Sequence, residues 1–388
     1  MPLPQPSTPR FAVGIDLGTT NSAMSFVDLA GAEGVQDFPI LQVVAPGETE
    51  RRETLPSFHY EASPGEAEGG ALNLPWSQGV SSCVVGILAR ERGAQAPGRL
   101  VASAKSWLCH AGVDRKARIL PWHGAEDVQR VSPVEVTARY LAHMRAAWNE
   151  IHPEHLLENQ ETVVTIPASF DEVARELTVA AIAQAGLGRV TLLEEPQAAF
   201  YAWMASHSGE WKSRLSPGQW VLVCDVGGGT TDFTLVETVA DGAGGVSFRR
   251  VAVGEHLILG GDNLDLALAH HLEPRLAGGG KLPPRQWSVL VRLCCQAKER
   301  LLGDPAPESV TISLPSAGSR LIGGSLQADV TRAEVERLLV DGFLPTVSMD
   351  DVPMRGGSGF REFGLPYAAD AAITRYLAEF LKRHAVRA

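Results

Sequence analysis

Two short turns constrain what this chain can fold into more than anything else in it. An apolar run ends in Asp-x-Gly-Thr-Thr at 16–20, and another ends in Asp-x-Gly-Gly-Gly-Thr-Thr-Asp at 225–232. The same strand-to-turn device twice in one chain predicts two similar lobes, each presenting a turn of phosphate size. Glycines in such a turn expose backbone N–H groups and let a bulky anion approach closely. Threonine hydroxyls add hydrogen bonds. The aspartate just ahead, Asp16 or Asp225, stands where it could hold hydrated Mg²⁺, which takes a carboxylate or two plus water and phosphate oxygens. One turn alone is equally well a hairpin chosen for its backbone angles. Two with the same Asp-to-Thr order favour a clamp for a polyphosphate with its metal.

Two better-known phosphate loops are excluded. GxxxxGK[ST] is absent. Gly227–Gly229 is followed by strand-like sequence, where a dinucleotide fold requires a helix. With Lys+Arg 34 against Asp+Glu 45 the net charge is -11, which argues against a nucleic-acid surface covering the protein. A nucleotide remains compatible, since backbone N–H groups and one or two cations can hold it. No run approaches the roughly 18 apolar residues of a membrane span, and MPLPQPSTPR has no signal-peptide core. Cys83, Cys109, Cys224, Cys294 and Cys295 form no zinc spacing and read as inert thiols of a reducing, cytoplasmic compartment.

Along the chain, 1–10 is a proline-bearing lead-in expected to be disordered, and 11–17 and 23–27 are strands around the first turn. The stretch 61–80, rich in Gly, Pro, Ser and Glu, is expected to be an exposed loop. Ser132, Pro133 and Glu135 start a helix whose inner face is 134, 138, 141, 144, 148 and 151. Strand 161–167, helix 171–186, strand 190–193 and a helix from Pro196 give an α/β layer. The polar stretch 206–219 is the candidate boundary, giving one lobe over 11–209 and another over 210–388. Strands at 220–224, 232–239 and 248–254 follow, the last after a glycine-rich turn at 242–245. Two helices within 261–302 are broken by GGGKLPP at 278–284. Two strand-like runs, a capping box at Thr331 and Glu334, and a last helix over 369–385 complete the reading.

The motifs then carry a resemblance. GIDLGTTNS at 14–22 and CDVGGGTTDFTL at 224–235 are similar to the two phosphate motifs of the 70-kDa heat-shock protein family. VVTIPASFDEVAR at 163–175 and LLEEPQAAFYAW at 192–203 look like its strand–proline–helix and glutamate-bearing elements. LPSF at 55–58, ASAKSWL at 102–108, GEHLILGGDNLD at 254–265 and VTRAEVERLL at 330–339 follow in the family's order. Sugar kinases and actins share the clamp but not this series.

The resemblance implies a two-lobed actin-like ATPase fold, built from duplicated ribonuclease H-like sheets with flanking helices, that binds ATP/ADP with Mg²⁺. By position, Gly18, Thr19, Thr20 and Asn21 would cradle phosphates on one side, and Gly227, Gly228, Gly229, Thr230 and Thr231, with Gly261, on the other. Asp16 and Asp225 would place the metal. Lys105 aligns with the family's lysine near the transferred phosphate, and Glu195 with the carboxylate that helps place the attacking water, Asp225 and Thr230 completing the catalytic set. Pro167 and Arg175 align with positions coupling nucleotide state to a substrate domain. Taken alone, Lys105 is a solvated surface lysine and Glu195 a helix-start carboxylate. Implied partners are nucleotide, a C-terminal substrate domain, a J-domain co-chaperone and an unfolded client, with no nucleic acid and no membrane.

Two departures stand out. The family's adenosine helix reads E-x-x-K-R-x-x-S; CCQAKERLLG at 294–303 keeps Lys298 but has Cys295, Glu299 and Leu302 at the other places. The family also closes its pocket with a strand and V-G-G-S-T-R. LIGGSL at 321–326 precedes VTRAE and is not that motif, so the second lobe is expected to be incomplete and ATP binding by this chain alone weak or absent. An ATP-hydrolysing chaperone module is the first expectation, with a regulatory or scaffold module of little turnover, or an actin-like filament subunit or small-molecule kinase, as alternatives.

Overall fold

Alternation sets the first strand. In β1 (Phe11–Asp16), Phe11, Val13 and Ile15 are buried while the residues between them are half-covered, as expected for one face of a pleated strand on a core. The structure is a computed structural model; it describes residues 8–31, 34–122, 124–240, 246–315, 326–354, 361–362, 365–366 and 368–384. The lead-in through residue 7, the expected turn at 242–245 and residues 321–325 lie outside the described residues.

The chain divides into two compact units. The first comprises Met1–Gly93, Gly98–Asp225 and Thr234–His256; the second comprises Ala94–Pro97, Val226–Phe233 and Leu257–Ala388. In the first, β1 pairs antiparallel with β2 (Asn21–Asp28), which pairs with the short Gln36–Asp37 and with β3 (Thr54–Pro56). On its other side β1 runs parallel to β4 (Glu161–Ile166), Gly14 opposite Val163, and β4 runs parallel to β5 (Val190–Glu194). Parallel neighbours need a crossover, and α3 (Glu172–Gln184) supplies the one between β4 and β5. This is the expected α/β layer: an antiparallel meander extended by two parallel strands, with helices packed on it.

Two helices support the sheet. α1 (Ala104–Cys109) is short. α2 (Pro133–Ile151) begins with the predicted capping box, Glu135 N–H donating to Ser132 Oγ at 3.1 Å and Ser132 N–H to the Glu135 carboxylate at 2.7 Å. Its buried face is rotated from the expected one. Ala138, Leu141, Met144 and Trp148 are buried, but so are Val136, Tyr140 and Ala147, while Val134 is only partly covered and Ile151 is exposed. A helix covered this widely has more than one neighbour, and the 3.6-residue period alone does not say how wide its stripe is.

The expected loop at 61–80 needs correction. Pro64–Ala67 is a helical turn with a Ser63–Glu66 box, continued by Glu68–Gly70, and it buries Ala67 and Leu72. Its Gly and Pro content marks tight turns around two apolar anchors rather than an open excursion. The polar stretch 206–219 likewise contains a turn of helix at Trp211–Arg214.

A three-stranded sheet follows in the order β6 (Trp220–Val226), β7 (Thr231–Ala240) and β8 (Val246–Val253). The second unit holds α5 (Gly261–Leu276), α6 (Pro284–Leu302) and an antiparallel hairpin of β9 (Ser309–Leu314) and β10 (Leu326–Thr331). Thr331 caps the next helical turn as expected, accepting the Glu334 N–H at 3.2 Å. The last described helix, α7 (Ile373–His384), starts four residues later than expected, because Asp370 turns the chain by accepting the Met354 and Ala372 N–H groups. Helix α4 (Glu195–Ser206) belongs to the first unit and directly follows β5. Among the described residues no helix is long and apolar enough to cross a membrane.

Candidate functional site

The first turn is built by close backbone approach. A Cβ placed on Gly18 would lie 2.0 Å from the Asn21 carbonyl oxygen, so only glycine fits. Ser57, from the LPSF motif, holds the turn: its hydroxyl donates to the Gly18 carbonyl at 2.8 Å and meets Ser22 Oγ at 3.0 Å, and its N–H donates to the Thr20 carbonyl at 2.9 Å. Carbonyls thus point into the protein. Among the described residues the N–H groups of Thr19 and Thr20 meet no acceptor, and the buried Thr20 Oγ1 has no partner. Buried polar atoms are rarely left so, and this arrangement fits an anion. Asn21 is exposed at the start of β2, and Asp16 is exposed at the end of β1.

Asp16 is aimed by a residue 149 positions away: Thr165 Oγ1, on β4, donates to Asp16 Oδ1 at 2.6 Å. Beside it stands an ion pair that neither half reveals by itself. Lys105 Nζ, on α1, donates to Glu195 Oε1 at the start of α4, with only 11% and 13% of the two side chains exposed. Lys105 is therefore not a solvated surface lysine. Burial works hardest against its charge, but Glu195, by attraction and hydrogen bond, and Asp16 behind it hold the ammonium above the ordinary lysine value. Glu195 is pushed above the ordinary carboxylate range, first by burial and then by Asp225 and Asp16, against the pull of Lys105. Asp16, Lys105, Glu195 and Asp225 thus share one electrostatic neighbourhood, three carboxylates to one ammonium.

The lysine's position is fixed from behind. Ser103, just ahead of α1, is left-handed (φ 53°), an unusual conformation for a residue with a side chain. Arg115 donates to both carboxylate oxygens of Asp171 at 2.9 Å and to the Leu108 carbonyl at 3.1 Å, tying the end of α1 to the N-terminus of α3, which Asp171 itself caps. Of the expected coupling positions, Arg175 donates to Glu194 at 2.7 Å, and Arg250 pairs with the same carboxylate; the Pro167 carbonyl accepts the Phe170 N–H at 3.2 Å.

The second turn is held by a different device. Gly227 N–H donates to the Thr230 carbonyl at 2.9 Å, closing the turn. The Gly227 and Gly228 carbonyls then accept the Gly261 and Asp262 N–H groups, at 3.0 and 2.7 Å, so the first turn of α5 docks on the glycines. Gly260 makes this possible: a Cβ there would lie 2.5 and 2.6 Å from those two oxygens. Among the described residues the N–H groups of Gly228 and Gly229 meet no acceptor. Thr231 is fully buried, its hydroxyl donating to the Leu259 carbonyl at 2.7 Å, so its side chain braces the turn from inside.

Behind Gly261 lies a charged cluster. Lys298 Nζ, from α6, is 2.6 Å from Asp265 Oδ1 and 3.2 Å from the Gly261 carbonyl, with 15% of its side chain exposed. Burial, repulsion from Asp265 and incomplete relief by Lys298 push Asp262 up to about 7. A carboxyl with a raised folded-state pKa contributes stability that is complete below its unfolded value, near 3.8, and is lost as pH rises through about 7. Denaturant unfolding at pH 5 and pH 8 is therefore expected to show the second unit weaker at pH 8. Asp262→Asn should narrow that difference by about 1–2 kcal/mol; an unchanged difference would count against it.

Sequence reasoning missed Ser57 as a brace, Thr165, Arg115 and Gly260. Ser57, Thr165 and Gly260 lie inside the quoted motifs, but what each contacts has no local signature.

A family model described as Hsp70 protein matches residues 102–349. Among curated proteins, one named chaperone protein HscA homolog from Azotobacter vinelandii is 32% identical over 310 residues, 77% of this chain and 43% of that protein. Proteins with the same name from Pseudomonas aeruginosa (30% over 349 residues, 87% of this chain and 47% of theirs) and Pseudoalteromonas atlantica (28% over 376 residues, 91% and 53%) are also similar. The chain spans about half the length of these relatives.

Proposed function

This chain belongs to the 70-kDa heat-shock protein family, and on that premise we propose that it is a nucleotide-binding region that takes Mg·ATP and hydrolyses it slowly as part of a chaperone. The observation that carries this reading is the buried Lys105–Glu195 pair within the field of Asp16 and Asp225, next to a turn with open N–H groups and an orphaned Thr20 hydroxyl. Phosphoryl transfer to water needs a cation near the transferred group, donors for the phosphate oxygens and a carboxylate to orient the nucleophile.

In this reading Gly18, Thr19, Thr20 and Asn21, and on the other turn Gly227, Gly228, Gly229 and Thr230, hold phosphate oxygens. Lys105 offsets their charge and Glu195 orients the water. Asp16 and Asp225 would hold Mg²⁺, which would offset phosphate charge when bound. Arg175, joined to Glu194, passes the nucleotide state towards a substrate domain. An unfolded client, a J-domain co-chaperone and a cytoplasmic setting belong to the same proposal, the last supported by five free thiols.

Calorimetry of this chain with Mg·ATP, together with phosphate-release assays, tests the reading. Saturable binding that Asp16→Asn abolishes is expected; no heat and no release overturn it. Thr165→Val should raise the Mg²⁺ concentration for half-maximal binding about fivefold, the worth of one hydrogen bond to an exposed carboxylate, with ATP affinity at saturating Mg²⁺ unchanged. A second reading, a regulatory module that binds without useful turnover, is favoured by one observation: Lys298 is committed to Asp265, and Cys295, Glu299 and Leu302 stand around it. Tight binding with no phosphate release would select it.

A further inference from the structure

We propose that Lys298 is a positioning residue that tethers the second glycine turn, not a ligand for the nucleoside. Its ammonium faces inward. It reaches Asp265 Oδ1 at 2.6 Å, with 6% of that side chain exposed, and donates to the Gly261 carbonyl at 3.2 Å. Gly261 is the residue whose N–H donates to the Gly227 carbonyl, and its neighbour Asp262 donates to Gly228. A Cβ on Gly261 would stand 3.4 Å from Lys298 Nζ on one side and 3.5 Å from Gly228 Cα on the other, so the lysine, the helix start and the turn form one packed stack.

The chemistry of the first turn of α5 explains why a cation is needed there. Asp262 and Asp265 place two acids within one helical turn, both half-buried or more, and Asp265 raises the cost of ionising Asp262. Lys298 is the cation that both feel. Without it, the acids repel each other behind the N–H groups that hold Gly227 and Gly228, and α5 loses its seat on the turn. The lysine is held on the protein side by an ion pair with a buried carboxylate and a hydrogen bond to a carbonyl. Breaking the Asp265 pair to reach an outside ligand leaves a charge unpaired.

Amide hydrogen exchange on the ligand-free 388-residue chain tests the tether directly. In Lys298→Met, exchange at Gly261 and Asp262 should quicken at least about tenfold, with β9 and β10 unchanged; Lys298→Arg, which can keep the ion pair, should restore most of the protection. Should Lys298→Met fail to fold, Lys298→Gln removes only the charge while keeping a polar end, and must quicken the same two amides. Unchanged exchange in the folded variants overturns the tether. The consequence for phosphate binding rests on the nucleotide reading above: affinities for Mg·ATP and for inorganic tripolyphosphate should fall by the same factor in Lys298→Met. A loss confined to ATP would make Lys298 a nucleoside ligand and overturn the proposal. If the wild-type chain binds neither probe, the nucleotide reading fails while the exchange result still decides the tether.

Discussion

Replacing Lys105 by methionine is expected to slow ATP hydrolysis about 100- to 1,000-fold, the usual cost of removing one preorganised charge from a transition state. The argument starts from burial. Methionine fills much of the same volume, so α1 should keep its packing, with Trp107 and Leu108 buried beside it and Arg115 holding its end. Charge is what changes. Glu195 would then face Asp16 and Asp225 with no cation, and its pKa, already raised, would rise further. A raised carboxyl contributes stability below its unfolded pKa that is lost as pH climbs through the folded value. Lys105→Met should therefore be more stable near pH 5 than near pH 8 relative to wild type, and Lys105→Met with Glu195→Gln should remove that dependence. Phosphate release at the wild-type rate, or a pH response that survives Glu195→Gln, would show that the pair does not act as described.

How much of this was legible in the sequence depends on distance along the chain. The turns at 16–20 and 225–232, the caps at Ser132 and Thr331, and the strand–helix–strand run from 161 to 206 rest on neighbours within a few residues, and each was recognisable. The supports of the site were not. Thr165 meets Asp16 across 149 positions and Arg115 meets Asp171 across 56, and a single sequence carries no period that links them. Lys105 and Glu195 were assigned to the same site only through motif order; their direct pairing is a fact of packing. The loop expected at 61–80 failed for a related reason. Glycine and proline specify turns, and whether turns lie open or fold over Ala67 and Leu72 is decided by what lies beneath them. Lys298 is the sharpest case: its residue type matched an outward role, and its partner Asp265, on another helix, turns it inward.

Gly18→Ala should cost the first unit about 3 kcal/mol or more. Conformational freedom is not the reason, because Gly18 is not among the residues with positive φ. Space is. The new methyl carbon would sit 2.0 Å from the Asn21 carbonyl oxygen, and that atom cannot swing aside as a side chain can. Asn21 opens β2, where it is registered against Pro56 of β3, while Ser57 grips the Gly18 carbonyl from the same segment. Relief therefore requires opening the turn, freeing Ser57 and shifting the end of β2 together. The open N–H groups of Thr19 and Thr20 would lose their common aim in the same movement, so Mg·ATP binding should disappear along with the stability. Gly65→Ala is the control: nothing lies within 4 Å of its Cβ position, it sits in a helical turn, and its effect should stay within about 0.5 kcal/mol. The midpoints of the first unit's denaturant transition decide the matter. Equal midpoints for the two variants would mean that the first turn is slack enough to take a side chain, and a slack turn could not hold a phosphate by fixed backbone donors.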